Sequence, residues 1–507
     1  MLAQLYRTRA PARLSKNESI ISALRSGQAP LAEHEAMFDF VSQISRDVCE
    51  GIASDIGKSI DRGEIDAVFD AVSAVLAHQA LLAPYYFALF HQNQERHLLS
   101  RITGRHGGIW PNKLRVGVFT DSFNDISASG RFAEVLAQIA DGRGLEFIVH
   151  TCGDGDLENS AARRNFRPLL SREISSGGFE LKIPPVLEIL ESSDRHQFDV
   201  VIANTAGPMG CCAWLVSKML RVPMLAIMHD DLPAHVFHRT SGDYRLSAAA
   251  KFFCDAFYAS AEKILTRSRA GGEAARRAGI SSDKLLTLPP APLAGPPDEQ
   301  PDRQAYWEQQ RVHEPIRIVC STQDGSAREI ALINETFKLL QRQRPDVALV
   351  MFGDRPHLAD PAVYQLHLKA GEIDRLLASA DLLLCPARDD INGQLVLDAQ
   401  ALGLPVVVNQ HAAAREMMDD GLSGVVVADQ SAAAWTNAIL DILADEPRRQ
   451  RMSRTAAVRA QRYCRQRTFD VFWDACLETC GASRQKNQAD QTPSPQEATV
   501  LTPEMIP

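Results

Sequence analysis

The sequence predicts an α/β protein made of two parallel-sheet halves that face a cleft, preceded by a helical region. Three observations carry this expectation. Short runs in which nearly every residue is apolar alternate with helical stretches, the texture of βαβ units around a sheet buried on both faces. The alternation occurs twice, over sets of similar size. Between the sets lies PPAPLAGPPDEQP (289–301), a Pro-rich segment placed where a hinge would be. Two such halves put a cleft between the carboxyl ends of their sheets.

The elements follow in order. Residues 1–112 read as helical, because EAMFDFVSQISRDVCEGIASDIGKSI and the stretch from Glu64 to Leu99 place apolar residues three and four apart. Pro84 should kink the second of these. The run Leu81–Phe87 around it reads as a buried core helix, with contact to a membrane or partner as the alternative. Gly104, Gly107, Gly108 and Pro111 mark a linker. In the first half, RVGVF (115–119), LEFIVHT (145–151), FDVVIAN (198–204), VPMLAIMH (222–229), KILTRS (263–268) and KLLTLP (284–289) read as strands. GRFAEVLAQIADG and GPMGCCAWLVSKMLR are helical between them. The second half offers IRIVCST (316–322), VALVMFG (347–353), DLLLCPA (381–387), PVVVN (405–409) and GVVVA (424–428). Domains are therefore expected at 1–112, 113–296 and 297–465, with a carboxy-terminal helix over 466–480 and a polar, disordered tail over 481–507.

Composition excludes several classes. Among 507 residues, 54 are basic and 63 acidic, a formal net charge of −9 with no long basic run, which argues against nucleic-acid binding. No segment approaches the ~20 apolar residues of a spanning helix. The basic start MLAQLYRTRAPARLSKNE lacks the apolar stretch and cleavage site of a secretory signal. Ten cysteines are spread along the chain, and neither Cys211–Cys212 nor Cys476 with Cys480 has a second Cys/His pair to complete a zinc site. The chain thus reads as reduced and cytoplasmic, with peripheral contact at the inner membrane face, or oligomer contact, left open for residues 1–112.

The most informative stretch runs from 371 to 427. It contains Pro386, Asp390, Gly393, Asp398, Ala399, Gly403, Pro405, Val406, Val407, Glu416, Asp420, Gly421 and Gly424 in that order. These positions resemble the carboxy-terminal half of the GT-B glycosyltransferases of the retaining family 4, group 1 type. There a strand ending in Pro-Ser leads to Glu-x7-Glu, Ala-x-x-x-Gly-x-Pro-Val-Val and Asp-Gly-x-x-Gly. The first half is similar to the same family through RVGVFTDSFNDISASGR, like its first strand and loop. MHDDLP and the long helix after it resemble a His-Thr-Asp-x-Pro segment. The resemblance implies a GT-B fold of two Rossmann-like domains over roughly 113–480. It also implies transfer of a sugar from a nucleotide-diphosphate-sugar donor to an acceptor hydroxyl with retention. No metal and no cofactor are expected, the nucleotide-sugar being the substrate.

Such a donor leaves as a nucleoside diphosphate, so negative charge builds on the phosphate as the glycosidic bond breaks. Lys/Arg side chains or N–H groups at a helix start can meet it. Candidates are Arg328, which opens the helix after the first strand of the second half, and the backbone of Asn392–Gly393–Gln394, where Gly393 lacks a Cβ. By resemblance, Asp398 would hold the ribose, Asp390 the transferred sugar, and His229 the region of the reacting centre. A neutral imidazole there could accept a proton or bond a sugar hydroxyl. Ala128 and Gly130 stand in the first-half loop that nears the donor phosphates and acceptor. Glu416 follows the donor loop of the second half. The plainer alternatives are a satisfied core histidine, a loop acid and a solvated helix residue. Asp230–Asp231, Asp389–Asp390 and Asp419–Asp420 read as turns or caps rather than metal pairs.

Departures from the family pattern cluster at the site. Both family glutamates are aspartates here, and Ala412–Ala413 replace a Gly pair. Ala128 replaces a Gly, and PPAPL (289–293) replaces the usual ending of the linker strand. Ser321–Thr322–Gln323 replace a Gly-Arg, leaving Arg328 without a basic partner unless Arg388 substitutes across the loop. Two functions therefore stay open: the transferase, acting on a glycan or lipid-linked acceptor, and a non-catalytic GT-B module that binds nucleotide or glycan and assembles with an active partner. A sugar-phosphate epimerase or phosphorylase on the same architecture is the third and weakest.

Overall fold

The computed structural model describes residues 40–51, a few positions between 77 and 84, and residues 114–489 with short interruptions, the longest being 154–158, 296–301 and 354–361. The expectations for the rest of residues 1–112, including the bend around Pro84, and for the tail beyond Ala489 lie outside the described residues. Within the helix 40–51, Val48 and Cys49 are buried, and Arg46 pairs with Glu188 at 2.8 Å. Among the described residues no helix is long and apolar enough to cross a membrane.

The first half supplies β1 (Arg115–Thr120), β2 (Glu146–Cys152), β3 (Arg163–Phe166), β4 (Leu170–Ile174), β5 (Phe179–Ile183), β6 (Val200–Ala203), β7 (Met224–Met228), β8 (Lys263–Thr266) and β9 (Leu285–Thr287). Seven of them form one parallel sheet in the order β3-β2-β1-β6-β7-β8-β9, and β4 and β5 make a separate antiparallel hairpin. The second half supplies β10 (Ile316–Ser321), β11 (Val347–Phe352), β12 (Val363–Leu366), β13 (Leu382–Cys385), β14 (Val406–Asn409) and β15 (Gly424–Val427). These form a second parallel sheet, ordered β12-β11-β10-β13-β14-β15. Every residue of β6, β7, β11, β13 and β14 is buried, as the uninterrupted apolar runs require. Sequence patterning passed over β3, β4, β5 and β12. β3 reads Arg-Arg-Asn-Phe and lies at a sheet edge, where polar side chains are tolerated and no apolar signature is needed.

Helices cover both faces of each sheet. The first half has α1 (Ala128–Gly142), α2 (Val186–His196), α3 (Pro208–Leu220), α4 (Leu232–Arg239), α5 (Tyr244–Ala259) and α6 (Arg269–Arg277). The second has α7 (Arg303–Gln309), α8 (Ala327–Gln341), α9 (Glu372–Ser379), α10 (Gln394–Ala401), α11 (Ala432–Ala444) and α12 (Glu446–Ala460). The last helix, α13 (Arg465–Ala489), crosses back to the first domain. Its Phe469, Phe472, Ala475, Cys476 and Cys480 share a core with Leu114, Val116, Val118 and Phe132. That helix runs nine residues past Cys480, into the start of the segment expected to be disordered. The two domains are thus tied twice, by the linker after β9 and by α13. In each sheet the strand order reverses beside the first strand, between β1 and β6 and between β10 and β13. Crevices open at the carboxyl ends of these strands.

Candidate functional site

The two crevices face each other and form one interdomain cleft. Ile126, Ala128, Arg131, Asp230, Asp231, His235 and His238 line it from the first domain. Ser321, Glu329, Cys385, Pro386, Asp390, Asn392 and Gln394 line it from the second. Its free volume is about 130 Å³, below the ~300 Å³ at which small-molecule pockets begin, so the domains stand closed on each other. A second cavity of about 290 Å³, with walls that include Met228, Leu232, Tyr258 and Ile280, opens on the far side of Asp230–Asp231.

Closure is held by bonds from the positions that the sequence singled out. Asp398, on α10, is fully buried and accepts four hydrogen bonds. Its Oδ1 takes the backbone N–H of Leu293 (2.6 Å), that of Ala294 (3.0 Å) and the Gln394 amide (2.9 Å). Its Oδ2 takes Arg131 Nη1 at 2.7 Å. Arg131 reaches across from α1 and also gives Nη2 to Asp374 at 2.7 Å. Burial works against the Arg131 cation, but the two carboxylates outweigh it and hold its pKa above the usual arginine value. Glu416 accepts the N–H groups of Arg269 (3.1 Å) and Ala270 (2.8 Å), so an acid of the second domain caps α6 of the first. The Asn392 amide donates to the His229 carbonyl, Ser268 Oγ to the Ile391 carbonyl, and Arg267 Nη2 to Gln394 Oε1.

Asp390 folds back on its own loop. Its Oδ1 accepts Asn392 N and Gly393 N, both at 2.8 Å, so a carboxylate already sits at the amino end of α10. Gly393 adopts φ +64°, and a Cβ there would lie 2.9 Å from the Ala413–Ala414 backbone. The room beside this glycine is therefore taken by the protein's own loop. Gly130 is held similarly, since a Cβ would meet Asp125 Oδ1 at 2.3 Å. Ala128 opens α1 and lines the cleft.

The expected diphosphate cations are placed elsewhere. Arg328 is exposed in the first turn of α8, whose capping box is made by Ser326 and Glu329. Arg388 is exposed as well, and only its backbone N–H turns inward, to Glu329 Oε1 at 2.8 Å. The cleft wall at that point is Glu329, a carboxylate. Asp231 caps α4 through Ala234 N at 3.2 Å, and Asp420 accepts Val426 N at 2.9 Å, so these acids act as caps and turn residues.

His229, at the end of β7, is 4% exposed. Asn204 Nδ2 donates to Thr120 Oγ1 (2.9 Å) and to the Ser129 carbonyl (3.1 Å), which turns its Oδ1 toward His229 Nε2 at 3.0 Å. The ring is then the Nε2–H tautomer, and Nδ1 carries a bare lone pair with no partner among the described residues. Burial, reinforced by Arg267, holds its pKa well below the usual histidine value, so the ring is neutral. Sequence reasoning missed Asn204, Arg131, Arg267 and Asp374. Arg267 did leave a trace, as a charged residue at the carboxyl end of a buried strand.

Comparison with known proteins agrees with this architecture. Residues 129–291 match the family described as Glycosyltransferase Family 4, and residues 303–459 match Glycosyl transferases group 1, together more than half of the chain. A D-inositol 3-phosphate glycosyltransferase of Paenarthrobacter aurescens is 29% identical over 156 residues, covering 28% of this chain and 38% of that protein. The sulfoquinovosyl transferase SQD2 of Arabidopsis thaliana is 24% identical over 323 residues, 59% of each chain. The chain thus spans between about four and six tenths of the length of these relatives. Among solved structures, Anabaena Alr3699/HepE, crystallised with UDP and glucose, superimposes with a TM-score of 0.54 at 18% identity, over 71% of this chain and 99% of that one. A glycosyltransferase from Rickettsia africae gives 0.53 at 13% identity, over 73% and 99%. Both likenesses concern the fold. With two matched halves and the paired parallel sheets, the chain belongs to the GT-B glycosyltransferases of the group 1, family 4 type.

Proposed function

We propose that this protein transfers a sugar from a nucleotide-diphosphate-sugar to an acceptor hydroxyl, with retention of anomeric configuration and without a metal. The observation that supports this most is how the two oxygens of Asp398 are shared. Oδ1 is held by the linker and by α10 itself, whereas Oδ2 is held by Arg131 of the opposite domain. Opening the cleft frees Oδ2 alone and leaves the carboxylate oriented, ready to take the ribose hydroxyls of an incoming donor. Asp390, at the cleft mouth, would accept hydroxyls of the transferred sugar. The neutral His229, with Nδ1 as acceptor, would take a hydrogen bond from a sugar or acceptor hydroxyl.

No carboxylate stands out as a nucleophile, which favours attack from the face of the leaving group. The acceptor oxygen bonds to the anomeric carbon as the bond to phosphate breaks, and its proton passes to the departing phosphate oxygen. Incubation with UDP-, GDP- and ADP-hexoses tests the reading. One donor should release nucleoside diphosphate, with the α-anomer kept in the product by proton NMR coupling. No release from any donor, in protein that also binds no nucleotide, would contradict it. That outcome would favour the second reading, a non-catalytic module, which draws on the use of Asp398, Asn392 and Glu416 as bridges between domains.

A further inference from the structure

We propose that Arg267, from the first domain, is the cation that meets the departing diphosphate, in place of the second-domain positions that lack one. The inference rests on the transferase reading and deepens it. Breaking the glycosidic bond leaves its electron pair on the bridging oxygen of the diphosphate, and that charge needs a preorganised donor in a water-poor site. Arg328 and Arg388 are exposed, Ser321 and Thr322 are neutral, and Glu329 on the nearby wall carries the wrong sign. Arg131 faces the cleft, but both of its terminal nitrogens are committed to Asp398 and Asp374.

Arg267 differs from all of these. It follows β8, is 3% exposed, and lies with its guanidinium 4.2 Å above the ring of Phe132. The same ring meets His229 edge-on at 5.8 Å, so cation and imidazole share one support. Nη2 bonds Gln394, the first residue of α10, which ties the guanidinium to the amino end of that helix. Nη1 is buried and has no partner, and Arg267 forms no ion pair among the described residues. A buried guanidinium with an unused donor is costly to keep unless something supplies an acceptor. His229 Nδ1 and Asn392 Oδ1 are likewise buried and without a partner among the described residues; His229 packs against the same Phe132 ring, and Asn392 gives its Nδ2 to the His229 carbonyl. An acidic oxygen beside sugar hydroxyls offers what these three atoms lack: an acceptor for Arg267 and donors for the other two. Burial, eased by Asp398 and aggravated by Arg131, lowers the Arg267 pKa to about 10, so the group stays charged at neutral pH.

The test compares nucleoside with nucleoside diphosphate, so that the base and ribose contacts serve as an internal control. Uridine, guanosine and adenosine, and then UDP, GDP and ADP, are titrated calorimetrically into the full chain and into Arg267→Gln, both checked for folding by circular dichroism. The wild type should bind one diphosphate more tightly than its nucleoside. Arg267→Gln should keep nucleoside binding and lose about 10- to 100-fold in diphosphate affinity, the range of a charged hydrogen bond. A preference that persists unchanged in the variant overturns the role of Arg267 while leaving the transferase reading in place. Absence of any nucleotide binding to wild type overturns both. Should the Gln variant not fold, Arg267→Lys carries the test, because it keeps the charge and loses the planar fork. Its preference should drop by about tenfold, and an unchanged preference is again decisive against the proposal.

Discussion

The two walls of the cleft differ in how far their polar groups are already occupied. On the second domain, Asp398 accepts four hydrogen bonds, Glu416 two, and Asp390 two at one oxygen. On the first domain, His229 Nδ1 and Arg267 Nη1 have no partner among the described residues. The second-domain acids thus fasten the closed form, while His229 and Arg267 of the first domain, with Asn392 Oδ1 opposite them, keep buried atoms in reserve. Under the proposed function, the same acids would serve closure and donor binding in turn, with domain opening exposing an oxygen that closure covers.

The sharpest way to break this comparison is Asp398→Ala. It leaves Arg131 buried with half its ion pairing and orphans three N–H donors, so unfolding stability should fall by about 3–5 kcal/mol in urea titrations. An apolar exchange of both partners, Arg131→Met with Asp398→Leu, should recover only the part due to the unpaired Arg131, because the three N–H donors stay without an acceptor and Asp374 loses its cation. A single variant as stable as wild type would remove Asp398 from the fastening role. Next comes His229→Gln, which keeps a donor for Asn204 and lacks the Nδ1 acceptor. Transfer should slow by about tenfold with nucleotide affinity unchanged, the weight of one misplaced hydrogen bond to a reacting hydroxyl, and an equal loss in affinity would make His229 a binding group instead.

pH dependence is a smaller effect. Burial pushes the His150 pKa down to about 3, and His229 lies well below its usual value. Unfolded histidines bind protons near pH 6.5, so the stability tied to each neutral ring is complete above that pH. It is lost as pH falls, at about 1.4 kcal/mol per pH unit per histidine. For His150 the loss ends near pH 3. Replacing one histidine with Gln should halve this part of the slope between pH 6 and 4.5, and a slope untouched by either substitution would show that neither ring is buried neutral. The smallest effect is Glu416→Ala, a lost helix cap worth about 1 kcal/mol. The variant should also show a larger radius of gyration in X-ray scattering, reporting a cleft easier to open.

Much of the fold was legible because a parallel sheet buried on both faces forces strands such as VVIA and LLLC to be wholly apolar. β3 and β12, at sheet edges, carry no such obligation and were passed over. The crossing of α13 back to the first domain is a tertiary choice that local periodicity cannot express. At the candidate site, the motif singled out His229, Asp390 and Asp398, which the structure places where the two domains meet, but spacing along the chain says nothing about which domain supplies a partner. Arg131 lies 267 residues from Asp398, and Arg267 lies 127 from Gln394, so both contacts arise only when the domains close.

The central claim, that donor ribose and Arg131 exchange at Asp398, is tested most directly by calorimetric titration of UDP, GDP and ADP. The proteins to compare are wild type, Arg131→Gln and Asp398→Ala. One nucleotide should bind the wild type, bind Arg131→Gln about tenfold more tightly because its competitor is gone, and fail to bind Asp398→Ala. Equal affinity in all three proteins, or no binding to wild type and Arg131→Gln alike, would contradict it.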